Sequence, residues 1–322
     1  MRYVVTGGSG FIGASICSYL LNQGHELKVL DDRSRGSSLH LKDIEDQIQY
    51  IHGDVRDFDA VNRAVEGCEV VFHLAYVNGT RYFYEKPDLV LDVGIKGAIN
   101  TIDAALANNV TRYVLASTGE VYNQPKNIPT TEDAEIIIPD IKNARFSYSG
   151  GKIASELLAL HYGARKGLET VIFRPHNFYG PNMGNEHVIP EIINKILVQS
   201  KGLKEKEVEI EIQGDGSETR AFCYVSDGSR GACIAGLEGK SEEIYHIGKE
   251  EEISIRELVN TIAKLMNVTL FINSGVSPKG QTSRRCPSIK KISALGYVPE
   301  VTLEEGLQKS IDWYVSRSNS DL

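Results

Sequence analysis

Thr6-Gly-Gly-Ser-Gly-Phe-Ile-Gly13 is the stretch of this 322-residue chain that indicates its fold most directly, because its glycines stand between a β-rich run and a segment of helical periodicity. Gly7, Gly10 and Gly13 permit a tight turn, close approach of the backbone to a pyrophosphate, and close packing of the helix. A helix that starts here offers unpaired N–H groups and the positive end of its dipole to an anion. The stretch predicts a dinucleotide-binding turn whose cofactor contacts are Gly7, Gly10, Phe11, Ile12 and Gly13.

The first half of the chain alternates β-rich runs with segments of helical periodicity. Strands are expected at residues 3–5, 26–30, 49–52, 70–74, 113–116 and 170–173, and helices at residues 11–22, 57–65, 89–108 and 149–165. This alternation is typical of a parallel sheet with crossover helices on both faces. The predicted fold class is α/β, with a Rossmann-type doubly wound parallel sheet.

The sequence changes character past about Tyr179, where Pro181 and Gly184 interrupt regular structure. A helix at residues 190–199, a strand at 208–212 and a C-terminal helix at 303–315 are expected there. These short elements predict a smaller, mixed α/β C-terminal substrate lobe. We place the division between residues 1–178 and residues 179–322, with some chain exchange between the two lobes.

Composition and charge argue against several classes of partner. The net charge of -8 comes from 43 acidic and 35 basic side chains without a basic block, so no nucleic-acid partner is expected. No run of about 18 apolar residues could span a bilayer, and the N-terminus lacks the features of a secretory signal. No membrane partner and a cytoplasmic location are therefore expected. The five cysteines are scattered, which predicts neither a disulfide framework nor a metal site.

Acidic side chains follow the second and third predicted strands. Asp31 stands about 20 residues after the glycines, where a carboxylate accepts hydrogen bonds from the adenosine ribose hydroxyls. A carboxylate here repels a 2'-phosphate, which favours NAD as the cofactor, while Arg33 and Arg35 leave NADP open. Asp54, followed by Val55, is placed at the adenine amino group.

The segment His73-Leu-Ala-Tyr76 follows the fourth predicted strand. Its residues Leu74 and Ala75 are expected to supply backbone beneath the cofactor. The imidazole of His73 itself is interpreted as a core group.

Tyr148 and Lys152 stand four residues apart in a predicted helix, so their side chains share a face. A phenol is a poor base at neutral pH because its ordinary pKa is near ~10, and an adjacent ammonium favours the phenolate and lowers that pKa. A tyrosine tuned in this way can take a proton from a sugar hydroxyl. Because this spacing also occurs by chance on helix surfaces, its interpretation depends on the glycine turn and the motifs around it.

Several motifs together resemble the extended short-chain dehydrogenase/reductase family, and within it the NAD-dependent nucleotide-sugar epimerases, dehydratases and decarboxylases. They are residues 6–13, Asp31, Asp54-Val55, His73-Leu-Ala75, Ser117-Thr118, Tyr148 with Lys152, and Arg174-Pro-His-Asn-Phe-Tyr-Gly-Pro181. The resemblance covers nearly the whole chain. It implies a Rossmann domain with tightly bound NAD, a C-terminal lobe that binds a nucleoside diphosphate sugar, and a homodimer built through a helix bundle.

The resemblance also implies roles for single residues. Tyr148 corresponds to the catalytic base, and Lys152 to its electrostatic partner, which also binds the nicotinamide ribose. Thr118 corresponds to the hydroxyl that hydrogen-bonds the sugar oxygen as it becomes a carbonyl, with a capping role as the alternative. Asn177 corresponds to the amide that contacts the diphosphate region of the substrate, with a turn residue as the alternative.

The second lobe carries further candidates that come from the resemblance. Arg220 is similar to a phosphate-binding arginine of the family, and a planar guanidinium suits that bidentate task. Arg284 and Arg285 occupy the region of another phosphate-binding arginine, and the sequence does not decide between them. Val188 falls where backbone groups of the family meet the nucleotide base.

The most discriminating departure from the family pattern is at Ser117-Thr-Gly-Glu120. The 4,6-dehydratases of the family have Asp and then Glu directly after the threonine, and Gly119 takes the position of that Asp. Glycine cannot donate a proton, so an elimination loses its general acid, whereas Glu120 remains available as a base or sugar ligand. The family's UDP-glucuronate decarboxylases carry Thr-Ser-Glu, which Glu120 fits and Gly119 does not.

These observations favour an NAD-dependent nucleotide-sugar epimerase that acts through a 4-keto sugar intermediate, most specifically a 4-epimerase. That reaction needs only Tyr148, Lys152 and Thr118. The alternative is a nucleotide-sugar decarboxylase or 4,6-dehydratase that uses Glu120. A remote alternative is a non-catalytic dinucleotide-binding protein, which would not need the three side chains together.

Overall fold

The computed structural model describes residues 1–276 and 282–318. The strands within these residues are β1 (Arg2–Thr6), β2 (Glu26–Asp31), β3 (Ile48–His52), β4 (Val70–His73), β5 (Arg112–Ala116), β6 (Glu169–Pro175), β7 (Phe178–Tyr179), β8 (Glu207–Ile212), β9 (Thr219–Ala221), β10 (Cys223–Tyr224), β11 (Glu243–Ile247), β12 (Glu252–Ser254), β13 (Thr269–Ser274) and β14 (Arg284–Arg285). The α-helices are α1 (Phe11–Asn22), α2 (Ser38–Leu41), α3 (Phe58–Val65), α4 (Thr80–Glu85), α5 (Pro87–Ala107), α6 (Phe146–Leu158), α7 (Val188–Gln199), α8 (Val225–Glu238), α9 (Ile255–Leu265), α10 (Lys290–Ser293) and α11 (Leu303–Ser318).

The main sheet has seven parallel strands in the order β11-β6-β5-β4-β1-β2-β3. Consecutive strands run outward from β1 to β3 on one side and from β4 to β6 on the other, so the order reverses between β1 and β4. In open α/β sheets a ligand crevice forms beyond the carboxyl ends of the strands at such a reversal. The predicted Rossmann-type doubly wound sheet is confirmed.

Apolar side chains cover both faces of this sheet, as expected for parallel strands with crossover helices. Successive residues of β1 point to opposite faces. Val5 joins a core that includes residues of α1 and α8, whereas Val4 joins a core that includes residues of α3 and α5. The layers are therefore helix, sheet and helix, and they fix the β1–α1 turn at the carboxyl edge of the sheet.

A second core lies between the parallel pair β8–β13 and the helices α7, α9 and α11. Every second residue of β8 is buried, beginning with Val208, while the glutamates between them are exposed. Helix α9 begins with a capping box in which Ser254 and Glu257 satisfy each other's backbone N–H groups. This core gives the C-terminal part of the chain its own apolar centre.

Residues after 178 contribute to this second core and also to the core of the main sheet that contains Val5. Strand β11 pairs with β6 at the edge of the main sheet, with Tyr245 opposite Phe173, and α8 packs beside α1. Neither β11 nor α8, which pack on the main sheet, was among the elements expected from the sequence. The division at residue 178 stays a prediction.

Helix α6 begins at Phe146, three residues earlier than the periodicity indicated, and it ends at Leu158 in a π-helical turn (Ala159–Gly163). The apolar spacing marks only the buried face of a helix, so it does not locate the first turn. As a result Tyr148 lies in the first turn of α6, with Lys152 one turn further along.

Candidate functional site

The β1–α1 turn has the shape that a pyrophosphate site needs. Gly7 has φ +72°, and a Cβ added there would stand 2.7 Å from the backbone nitrogen of Ala75. A Cβ at Gly13 would stand 2.2 Å from the carbonyl oxygen of Gly7, so the helix can approach the turn only without a side chain. Gly10 precedes the first turn of α1, whose N–H groups face the crevice end of the sheet. The residues present therefore fit a dinucleotide phosphate.

Asp31, the last residue of β2, lies beside this turn. Its carboxylate accepts hydrogen bonds from the backbone N–H of Ser9, at 2.9 Å, and from that of Arg33, at 2.7 Å. Burial raises the pKa of Asp31, and the two backbone hydrogen bonds oppose that rise. The carboxylate thus also holds the glycine turn in place, which the sequence did not indicate.

Asp54 and Val55, which follow β3, differ in their surroundings. The carboxylate of Asp54 pairs with Arg56 at 2.5 Å, and this hydrogen-bonded pair lowers the pKa of Asp54. Val55 is buried and packs against Gly97. A Cβ added at Gly97 would stand 2.8 Å from the Val55 side chain. Both residues border the sheet edge, but neither lines the cavity described next.

A cavity of about 530 Å³ opens at the carboxyl edge of the sheet, beside the glycine turn. It brings together twelve of the residues predicted from the sequence. They are Gly7, Gly10, Phe11, Ile12, Gly13, Leu74, Thr118, Glu120, Tyr148, Lys152, Asn177 and Arg285. The predicted residues Asp31, Asp54, Val55, Ala75, Val188, Arg220 and Arg284 do not line it.

Tyr148 is held rigidly on the wall of this cavity. Its ring stacks on Phe83, with centroids 4.7 Å apart, and meets the edge of the Tyr76 ring at 5.3 Å. Burial raises the pKa of Tyr148, the negative charge of Glu120 raises it further, and a hydrogen bond with Thr118 opposes both effects. The expectation that Lys152 brings this pKa below its ordinary value is wrong for the protein alone, because burial raises the pKa and Lys152 is not among the groups that shift it.

The Lys152 ammonium has partners other than the Tyr148 hydroxyl. Its Nζ donates a hydrogen bond to the carbonyl oxygen of Ala116, at 2.6 Å, and lies 4.1 Å from the centroid of the Tyr76 ring. Burial lowers the pKa of Lys152 to about 7, although the nearby Glu156 carboxylate opposes that shift. A buried lysine poised in this range can change its charge with small changes in its surroundings.

Thr118 begins a short 3-10 turn (Gly119–Tyr122) directly after β5. Its hydroxyl accepts a hydrogen bond from the backbone N–H of Glu120, at 3.2 Å, so it caps this turn. The same hydroxyl lies close enough to Tyr148 to oppose the rise in the pKa of that phenol. The structure therefore shows the capping role that the sequence left as an alternative, and the hydrogen bond from Thr118 to the sugar oxygen stays a prediction.

Glu120 forms an ion pair with Arg285 at 3.2 Å inside the cavity. Arg284 instead pairs with Glu252 at the surface. The backbone of β14 separates the two arginines because neighbouring residues of a strand point to opposite faces. Of the two candidates, the structure brings only Arg285 to the cavity.

Arg220 lies close behind Arg285. Its guanidinium donates to the carbonyl oxygen of Thr219, at 2.7 Å, and burial together with the charge of Arg285 lowers its pKa to about 10. Asn177, at φ +45°, donates from its amide to the carbonyl oxygen of Ala221, at 3.0 Å. Val188 is the first residue of α7 and packs partly against the second core.

Several cavity residues were missed by the sequence analysis. His40 links the glycine turn to the segment after β7, with one ring nitrogen 2.7 Å from the carbonyl oxygen of Ser9 and the other 2.8 Å from that of Asn182. Ser37, His176 and His187 also line the cavity, as does Arg35, which the sequence connected only with the choice between NAD and NADP. His176 was visible in the quoted motif Arg174–Pro181, but no spacing rule relates it to Gly119, against which it lies.

None of the helices in residues 1–276 and 282–318 is long and apolar enough to cross a membrane.

Comparison with known proteins identifies the family. A model of the NAD dependent epimerase/dehydratase family matches residues 3–248. The chain is 31% identical over 323 residues to the UDP-N-acetyl-alpha-D-glucosaminuronate decarboxylase of Bacillus cytotoxicus, across 97% of each chain. It resembles the structure of Thermus thermophilus UDP-glucose 4-epimerase in complex with NAD, with a TM-score of 0.85 and 27% identity, over 98% of this chain and 99% of that one.

A third similar protein carries a third activity. The dTDP-glucose 4,6-dehydratase of Streptomyces venezuelae, crystallised with NAD bound, superposes with a TM-score of 0.87 at 27% identity, over 100% of this chain and 98% of that one. The three relatives establish an enzyme family and its cofactor, and they leave the individual reaction open. The expected family, fold and cofactor are confirmed. With its glycine turn shaped for a dinucleotide and a family model matched from residue 3 to residue 248, the chain belongs to the NAD dependent epimerase/dehydratase family of nucleotide-sugar enzymes and uses NAD.

Proposed function

We propose that the chain is a 4-epimerase of a nucleoside diphosphate sugar, with a 4-keto sugar as the intermediate. One observation carries this proposal: a single cavity collects Tyr148, Lys152 and Thr118 beside the glycine turn, with Gly119 at the point where an elimination would need an acid. Epimerisation at one carbon needs a proton acceptor and a hydride acceptor, and no further acid.

In this scheme Tyr148 transfers the proton and Thr118 assists it by a hydrogen bond. Tyr148 removes the proton of the sugar 4-hydroxyl, and Thr118 hydrogen-bonds the same oxygen as it becomes a carbonyl. When bound, NAD supplies the hydride acceptor and later the hydride donor, and its positive charge favours the phenolate of Tyr148. Tyr148 returns the proton after the keto sugar has turned over, so the carbon is inverted without net oxidation.

The other predicted residues, in the cavity and around it, are proposed to hold the ligands. The pyrophosphate of NAD is proposed to lie against the glycine turn, at Gly7, Gly10, Phe11, Ile12 and Gly13. Asp31 would bind the adenosine ribose, and Asp54 and Val55 would contact the adenine. The backbone of Leu74 and Ala75 would lie beneath the cofactor. Asn177, Arg220 and Arg285 surround the substrate diphosphate, and Val188 lies at the substrate base. The close pair of positive charges at Arg220 and Arg285 supports a dianionic ligand, because a diphosphate relieves their mutual repulsion.

A second candidate function is decarboxylation of a nucleotide-linked uronic acid. It is favoured by the Glu120–Arg285 ion pair, which stands in the cavity. A substrate carboxylate could take the place of Glu120 on Arg285 and leave Glu120 free as a base or ligand. The similarity to a decarboxylase supports this candidate. Dehydration would also use Glu120, but it needs a general acid at position 119, where this chain has a glycine.

The experiment that separates these reactions is incubation in deuterium oxide with UDP-glucose, UDP-N-acetylglucosamine, UDP-glucuronate and dTDP-glucose, followed by NMR of the products. The epimerase predicts inversion at C4 without deuterium in the sugar, because the same hydride leaves and returns. Decarboxylation predicts release of carbon dioxide, dehydration predicts loss of water, and both place solvent deuterium at C5. Absence of any conversion and of any NADH signal would contradict the proposal.

We also propose a homodimer formed through α5 and α6. These helices pack side by side, and Leu91 and Leu157 remain 37% and 53% exposed on them. An apolar surface on paired helices fits a helix bundle with a second copy. Analytical ultracentrifugation should give twice the chain mass of 35.5 kDa, and a monomer at micromolar concentration would contradict the assembly.

A further inference from the structure

His176 stands directly after β6, on the wall of the cavity. Its side chain is only 6% exposed, and its Nε2 is buried without a hydrogen-bond partner among the residues that the structure describes. The backbone N–H of His176 donates to the carbonyl oxygen of Ile247, at 2.9 Å, which fixes the main chain at this position. Buried polar atoms are almost always satisfied, so an orphan nitrogen at a ligand cavity points to a missing partner.

The ring of His176 occupies the space that a side chain at position 119 would need. A Cβ built on Gly119 would stand 2.4 Å from Cε1 and 2.6 Å from Nδ1 of His176. Gly119 is flanked by Thr118 and Glu120, both of which line the same cavity. The imidazole that follows β6 therefore stands where a side chain at position 119 would be.

The surroundings of this imidazole keep it uncharged. The ring of His246 meets it at a centroid distance of 4.6 Å, and Arg285 and Arg174 are the nearby cations. Burial first, and then these three groups, place the pKa of His176 well below its ordinary value. A neutral imidazole carries one N–H donor and one acceptor nitrogen, so it suits a hydroxyl group better than a phosphate or carboxylate.

We propose that His176 is a sugar-binding residue, whose imidazole forms a hydrogen bond with a hydroxyl group of the sugar in the bound nucleotide sugar. The inference rests on the proposed function, since it takes the ligand to be a nucleotide sugar. It assigns His176 to recognition of the sugar rather than of the nucleotide or the diphosphate. A neutral imidazole keeps its N–H proton, so His176 contributes binding and orientation and not general acid catalysis.

The test compares wild type with His176→Phe, which keeps a ring against Gly119 and removes both nitrogens. Calorimetric Kd values are measured for UDP and for whichever UDP-sugar of the panel the wild type binds most tightly. We expect the Kd of the UDP-sugar to rise about tenfold to a hundredfold, and that of UDP to stay unchanged, because only the sugar loses a hydrogen bond. His176→Gln, whose amide has both a donor and an acceptor, should recover part of the loss.

Three results would overturn the inference. The first is an unchanged Kd of His176→Phe for the UDP-sugar. The second is an equal loss for UDP and the UDP-sugar without rescue by Gln, which would indicate a structural role. The third is a wild type that binds no nucleotide sugar, which would refute the proposed function as well. If His176→Phe does not fold, His176→Ala replaces it with the same expected ratio between the two ligands.

Discussion

At the scale of single residues, two positions in the cavity behave differently from what their neighbours in the sequence indicate. Tyr148 is four residues from a lysine, yet its pKa rises because its ring is buried. Gly119 stands where the dehydratases of the family have an acidic residue, and the ring of His176 occupies the space that a side chain there would need. In both cases the contact that decides the chemistry comes from a distant part of the chain.

Tyr148→Phe should reduce kcat by about a hundredfold to ten-thousandfold, the usual contribution of a positioned acid or base. The phenyl ring keeps its stacking on Phe83, so the protein should fold and retain NAD. Turnover by NMR and NAD content by absorbance after denaturation measure the two effects. The matched control is Tyr84→Phe on α4, which is 51% exposed and should behave as wild type. Full activity of Tyr148→Phe would refute its role as the base.

Gly119→Ala should lower the free energy of unfolding by about 1–3 kcal/mol, because the new Cβ overlaps the His176 ring. In a His176→Ala background the same change should be nearly neutral, since the space is then free. Urea unfolding of the four proteins in this cycle measures the coupling. Gly150→Ala is the control, because its Cβ comes no nearer than 3.4 Å to another atom. An equal effect of Gly119→Ala in both backgrounds would contradict the assigned contact.

At the scale of elements, a buried ion pair joins β6 to α6, the helix that carries Tyr148 and Lys152. The Arg174 guanidinium donates to both carboxylate oxygens of Glu156, at 2.8 and 2.6 Å, and both side chains are almost fully buried. Glu156 also accepts a hydrogen bond from the Ser117 hydroxyl, and Arg174 donates to the Tyr122 hydroxyl. This network positions α6 against the ends of β5 and β6, and hence positions the catalytic candidates.

Glu156→Leu should destabilise the protein by about 3–5 kcal/mol, because Arg174 is left as a buried charge without its partner. The double variant Glu156→Leu with Arg174→Met should be more stable than Glu156→Leu alone, since it removes that charge. Urea unfolding monitored by circular dichroism measures both. Glu191→Leu breaks an exposed pair with Lys195 and should change stability by less than about 1 kcal/mol. A double variant no better than the single one would contradict this account.

At the scale of the whole molecule, three buried histidines stand at the carboxyl side of the main sheet. Burial lowers the pKa of His73 and of His246 to about 3, and it lowers that of His176 as well. Below the ordinary pKa of 6.5 the unfolded chain takes up protons that the folded protein does not. Stability should therefore be lost as the pH falls below 6.5, down to the folded-state values.

The free energy of unfolding should drop by about 4 kcal/mol between pH 7 and pH 5.5 from these three groups, at about 1.4 kcal/mol per group and pH unit. Urea unfolding at the two pH values measures the drop. His246→Gln should reduce it by about a third, because one of the three groups is gone, whereas exposed His52→Gln should leave it unchanged. A drop that is the same in wild type and His246→Gln would refute the assignment.

The parallel sheet, the glycine turn and the pair Tyr148 and Lys152 could be predicted from the sequence, because periodicity and short spacings act within a few residues of one another. The sequence also placed Thr118 directly after β5. It could not show that β11 and α8 return to the main sheet, since their pairing joins residues far apart in the chain. Only the tertiary structure decided that Arg285 rather than Arg284 reaches the cavity and that His176 covers Gly119, because those contacts join separate elements and depend on how the elements pack.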